Sequence, residues 1–163
     1  VKQDSSQGKT NWRVTTSWQG QTRSRAEVSG FGIGSEEVQR RFLFDIADPC
    51  DLGGSNAFAN PQEHLIAALN ACMPVGYVAQ CSIRGINLEQ LEIETKGEID
   101  LRGFLGIDSS VPPGYESLNY IVHIKGDGTE EQFAEIHEAV IATSPNFYNI
   151  ANAVMLKSAL VID

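Results

Sequence analysis

Cysteine, basic charge and long apolar runs are all scarce in this 163-residue chain. The three cysteines, Cys50, Cys72 and Cys81, are an odd number with no C-x-x-C spacing. That argues against a disulfide framework and a zinc site, and it fits a reducing, cytoplasmic setting. The histidines at 64, 123 and 137 fall on three different predicted elements without ligand spacing, so neither a metal nor another cofactor is expected. Twelve basic residues stand against 21 acidic ones, a formal net charge of −9. With Arg40–Arg41 its one adjacent basic pair, the chain is a poor partner for nucleic acid or an anionic membrane. No apolar run is expected to span a bilayer, and no charged, apolar and small-residue succession opens the chain as a signal peptide would.

At 42% hydrophobic, the chain can bury one real core. Residues 1–10 are polar and patternless and are expected to be flexible, leaving 11–163 as a single domain. Alternation begins with Trp12, Val14, Thr16 and Trp18 on one strand face, and Gly20 offers a turn into a second strand over 22–28. Gly30, Gly32 and Gly34 mark the next turn; with no helix behind them, they are no dinucleotide fingerprint. A third strand over 36–46 places Val38, Phe42, Phe44 and Ile46 on one face and Gln39, Arg41 and Asp45 on the other. A loop over 48–59 then leads to a helix over 61–84.

Beyond that helix, Leu91, Ile93, Thr95, Ile99 and Leu101 alternate with acidic and basic residues, the mark of a half-solvated strand. Residues 102–116, with Phe104, Leu105 and Tyr115, form an apolar loop that either covers the core or lines a pocket. Leu118, Tyr120, Val122 and Ile124 mark a fifth strand. Thr129 and Gln132 make a capping box for a helix whose inner face is Phe133, Ile136 and Val140. Ser144-Pro145 opens a short further helix, and Val154, Leu156, Leu160 and Ile162 close the chain as a last strand. The order β-β-β-α-β-β-α-α-β predicts an α+β fold with antiparallel-leaning sheets.

Asn60 to Cys72, reading NPQEHLIAALNAC, is the most informative stretch. Asn60 can cap the helix, and Pro61 suits its first position, where the missing N–H costs nothing. At 100° per residue, Leu65, Ala68, Leu69, Val75, Gly76 and Ala79 share a face with Cys72, which predicts apolar surroundings for the thiol. Cys72 is too far along the helix for the dipole to help ionise it, so it is either a small core residue or a reactive one with a separate stabilising group. Pro74 frees the carbonyl of Asn70 and predicts a kink beside Cys72.

Asn60-Pro61, the Gln62-Glu63 pair, the Ala-rich helix and Cys72 resemble the signature helix of the OsmC/Ohr family, the osmotically inducible and organic hydroperoxide resistance proteins. The likeness continues through three strands before the helix, the RGINLEQLEIETKGEID segment after it and the Ser-Pro near the C-terminus. The resemblance implies an OsmC-like intertwined homodimer, with shared sheets and a long central helix buried between them. It also implies peroxiredoxin-like cysteine chemistry in an oxidative stress response. A thiolate held by an arginine attacks an organic hydroperoxide and becomes a sulfenic acid, and a second cysteine closes it into a disulfide that a thiol reductant reopens.

Carried over one position at a time, the attacking cysteine falls on Cys72. The glutamate that holds the arginine falls on Gln62, an amide that can accept a bond but brings no charge. Glu63 is adjacent but belongs to another helix face. The arginine maps to Arg41, with Arg40 as its rival and Arg13, Arg23 or Arg25 as candidates if an earlier strand supplies it. The resolving cysteine falls on Ser144, which cannot form a disulfide and which also suits a plain helix cap. Cys50, in the loop before the helix, is a possible replacement; Cys81 is 180° around the helix from Cys72. Two readings therefore stand. One is a peroxidase with a single redox cysteine and an external thiol reductant. The other is a non-catalytic relative that binds a hydrophobic small molecule in the dimer pocket, with Cys72 as lining.

Overall fold

The computed structural model describes residues 2–162. Val1, in the stretch expected to be flexible, and Asp163, at the end of the expected domain, lie outside the described residues. The chain divides into two compact units, Val1–Leu65 and Ile66–Asp163.

The first unit is an antiparallel meander of β1 (Thr10–Trp18), β2 (Ser24–Ile33) and β3 (Glu36–Ile46) in that spatial order. Gly20 and Gln21, both at positive φ, make the first turn, where the Trp18 indole donates to the Gln21 carbonyl at 2.7 Å. Gly34 (φ +59) makes the second. Trp12 and Phe31 are register partners and stack at 5.2 Å, with the Arg40 guanidinium 4.6 Å over the Phe31 ring. On the opposite face, Asp45 accepts both ends of the Arg25 fork at 2.7 and 2.9 Å. A 3-10 turn at Ser5–Gly8, capped by the Asp4 carboxylate, precedes β1.

Helix α1 (Pro61–Ile83) begins at the end of this unit and forms the core helix of the second. Its start is a reciprocal cap: Asn60 N donates to Glu63 Oε2 and Glu63 N to Asn60 Oδ1, both at 2.8 Å. Gly85, at φ +69, ends it, and Ile86 N reaches back to the Cys81 carbonyl. Strands β4 (Leu88–Gly97) and β5 (Leu118–Gly126) pair antiparallel, joined by a loop that contains the single-turn helix α2 (Leu101–Phe104). Helix α3 (Glu130–Thr143) starts with the expected Thr129–Gln132 capping box, and α4 (Pro145–Ala151) follows with Ser144 as its cap. Met73, Tyr77, Cys81, Ile86, Ile136 and Val140 form the core, with Leu91, Ile93, Tyr120 and Val122 packed on it from the sheet.

Several expectations need correction. Strand β2 runs on through Gly30 and Gly32, so only Gly34 turns the chain. Strand β4 starts three residues early and stops at Gly97, because Asp100 caps α2 and takes Leu101 out of the ladder. The expected last strand does not form: residues 152–162 carry no regular structure, and Leu156 is 90% exposed. A strand exists only through a paired neighbour, and this segment pairs with neither sheet of the described chain. The apolar loop does not cover the core either, since Phe104, Leu105 and Ile107 are all exposed. Helix α1 continues through Pro74, and by length and composition alone it is long and apolar enough to cross a membrane, which was not expected. A core helix passes the same test, and this one buries Leu69, Met73, Tyr77 and Cys81. Of the expected face, that seam keeps Leu69 alone. Leu65 and Val75, assigned to the buried face with Cys72, are exposed, Val75 at 71%. Met73 and Tyr77 take the inner face instead, because the Tyr77 hydroxyl finds a partner in His137 Nδ1.

Candidate thiol site

Cys72 lies on the flank of that seam, half-buried. Its surroundings are less apolar than the helical count implies, because Ser144 Oγ donates to Cys72 Sγ at 3.4 Å. Ser144 is only 7% exposed and also accepts the Phe147 amide at 3.4 Å, so it caps α4 and touches the thiol at once. The two sequence positions singled out on α1 and at the α3–α4 corner therefore meet.

Three contacts, one per turn of α1, hold the corner there. One turn before Cys72, Asn146 Nδ2 donates to the Ala68 carbonyl at 2.7 Å. Cys72 itself meets Ser144. One turn later, Gly76 lies so close to Val140 that an added Cβ would be 3.1 Å from Val140 Cγ2. Val140 in turn accepts the Ser144 amide at 2.9 Å. A bare glycine at 76 thus lets α3 approach and brings its C-terminal end onto the thiol.

On the sheet side, Asn70 donates to the Ile93 carbonyl at 3.1 Å and accepts from Thr95 Oγ1 at 2.5 Å. An amide inside an otherwise apolar helix was the signal for this anchor, and its backbone consequence at Pro74 drew attention instead. Tyr77 and His137 were missed as a pair because 60 residues separate them. Burial, and secondarily the neighbouring Tyr120, pushes the Tyr77 hydroxyl up to about 12. Burial likewise raises the Cys81 thiol, which sits 1% exposed in the core.

The remaining candidates lie in the first unit. Arg41 donates to Glu27 Oε1 at 3.0 Å, across from β3 to β2, and its side chain is largely exposed. The hydrogen-bond partner of Arg41 among the described residues is thus Glu27. Gln62 is exposed in the first turn of α1, and Glu63 is occupied as the cap. Arg25 and Arg23 both serve Asp45, whose carboxyl the Arg25 hydrogen bonds hold below the usual range. Arg40 is stacked on Phe31, and Cys50 is exposed in a 3-10 turn. Among the described residues, no group of three or more His, Cys, Asp or Glu is arranged to hold a metal ion. A groove of about 710 Å³ is lined by Glu98, Asp100, Arg102 and the residues around Pro112, and Cys72 takes no part in it.

Several solved structures share this architecture at low sequence identity. An OsmC-like protein from Mycoplasma pneumoniae superposes with a TM-score of 0.68 at 14% identity, over 88% of this chain and 89% of that one. An organic hydroperoxide resistance protein OsmC from Legionella pneumophila gives 0.52 at 17% identity, over 85% and 89%. An OsmC-like hydroperoxide resistance protein from Jannaschia gives 0.50 at 13% identity, over 94% and 91%. No curated protein matches the sequence. The family model described as OsmC-like protein matches residues 53–158, which take in α1, Cys72, both strands of the second sheet and Ser144. The mixed α+β fold, with its antiparallel sheets and long core helix, agrees with that match: the chain belongs to the OsmC-like protein family.

Proposed function

We propose that the protein reduces small organic hydroperoxides in the cytoplasm, using Cys72 as its single peroxidatic thiol and an external thiol as reductant. The observation that carries this reading is the half-buried Cys72 sulfur, 3.4 Å from a hydroxyl donor at the position the family resemblance gives to the resolving thiol. The Cys72 thiolate attacks the terminal oxygen of the hydroperoxide and the O–O bond breaks. The alkoxide leaves and takes a proton to become an alcohol. Sulfur, having given up two electrons, becomes a sulfenic acid. An external thiol then forms an S–S bond with that sulfur as water departs, and a second thiol releases Cys72 with formation of the external disulfide. The family resemblance gives the role of the thiolate's cation to Arg41, whose own partner is Glu27.

The functional unit in this reading is a homodimer. Supporting it are the exposed apolar side of α1, with Val75 and Ile83 mostly exposed, and the bare apolar segment from Val154 to Ile162. That same apolar side favours the second reading, a ligand-binding relative in which Cys72 is lining. Trapping a sulfenic acid on Cys72 after stoichiometric hydroperoxide separates the two. One added oxygen, lost in Cys72→Ser, supports the peroxidase, whereas an unmodified Cys72 under excess hydroperoxide supports the binder.

A further inference from the structure

Ser144 occupies the place where a resolving thiol would stand, and its bonding pattern is that of more than a cap. Its oxygen accepts the Phe147 amide, so its hydroxyl hydrogen is free for the Cys72 sulfur. A donor that itself accepts a bond is polarised, which strengthens the bond it gives. In the second unit, the other thiol is Cys81, nine residues along the same helix, on its opposite side and in the core. No sulfur of this unit stands ready to close a disulfide with Cys72.

Building on the peroxidase reading, we infer that Ser144 is a positioning residue: its hydroxyl holds the Cys72 sulfur before and after oxidation. The oxidised sulfur is thereby kept as an open sulfenic acid, to be taken up by a low-molecular-weight monothiol. The products are a mixed disulfide and water. A second monothiol then regenerates Cys72 and leaves as the disulfide of the reductant.

The test uses Ser144→Gly, which nearly keeps the helix cap but removes the hydroxyl. The second-order rate constants of Cys72 with iodoacetamide and with cumene hydroperoxide are measured at pH 7 and pH 10, beside the Tm. Loss of a bond donated to the sulfur should slow Cys72 at pH 7 and speed it at pH 10, where ionisation no longer limits the rate and the undonated sulfur is the better nucleophile. Equal rates at both pH values, or slowing at both, would overturn the assignment. If wild-type Cys72 ignores the hydroperoxide, the peroxidase reading fails, and the iodoacetamide arm still judges the contact. The open sulfenic acid is tested with 2-mercaptoethanol as the monothiol. Oxidised wild type should gain one mercaptoethanol adduct in mass, whereas Ser144→Cys should lose two hydrogens and resist the adduct. An adduct-free, two-hydrogen loss in wild type would refute it.

Discussion

Gly76 is where a single methyl group tests how the site is held. In a helix interior, alanine is favoured over glycine by about 0.8–1 kcal/mol. Here the new Cβ would stand 3.1 and 3.3 Å from the two Val140 methyls, in a contact that Val140 must relieve by shifting. Overpacking of this kind costs about 1–3 kcal/mol, so Gly76→Ala should be destabilising by about 1 kcal/mol despite its better propensity. Val140 is 1% exposed, and Val140→Ala removes two buried methyl groups and leaves a void, a loss of about 2–3 kcal/mol. In the double variant, the methyl group added at position 76 grows into that void. Its cost should fall short of the summed single costs by about 1 kcal/mol or more. Urea unfolding followed by circular dichroism measures all three variants. Costs that add to within about 0.3–0.5 kcal/mol would refute the Gly76–Val140 contact, and with it the account of how Ser144 is brought to Cys72.

Three further outcomes are expected. Tyr77 ionises near pH 12 in the fold and near 10 when unfolded, so between these values the unfolded state holds fewer protons and stability falls as pH rises. The loss should reach about 2–3 kcal/mol by pH 12 and flatten in Tyr77→Phe; an unchanged alkaline slope in that variant would count against a buried hydroxyl. Arg41→Met should slow Cys72 alkylation at pH 7 several-fold while Arg25→Met leaves it unchanged, and the reverse pattern would move the cation to the Arg25–Asp45 pair. Sedimentation equilibrium at micromolar protein should give about twice the chain mass, and removal of residues 153–163 should lower it; a stable full-length monomer would contradict the dimer.

In the second unit, the helix starts were legible. Its helices announce themselves by local chemistry: Asn60-Pro61, the Thr129–Gln132 box and Ser144-Pro145 each satisfy amides a few residues away, and all three stand where expected. The sheet residues of β4 and β5 follow the same logic, since alternation is written within one strand. What failed was what depends on distant partners. The face of α1 was misjudged because a buried tyrosine is acceptable only with a partner, and His137 lies 60 residues away. The segment 154–162 has strand chemistry, but a strand also needs an edge to pair with. At the site, Ser144 was legible as a cap, and the same hydroxyl also donates to the Cys72 sulfur. Glu27 was not legible as the holder of Arg41, because the pair forms only through the β2–β3 register.

The most direct test of the central claim is the intact mass of the protein after one equivalent of cumene hydroperoxide, taken with and without a sulfenic-acid trap. One oxygen should add rapidly at Cys72, captured by the trap and abolished in Cys72→Ser. Without the trap, the oxidised form should persist until a monothiol is added. A two-hydrogen loss mapping to Cys50 and Cys72 would contradict the single-cysteine chemistry. A Cys72 left unmodified over minutes in excess hydroperoxide would contradict catalysis altogether.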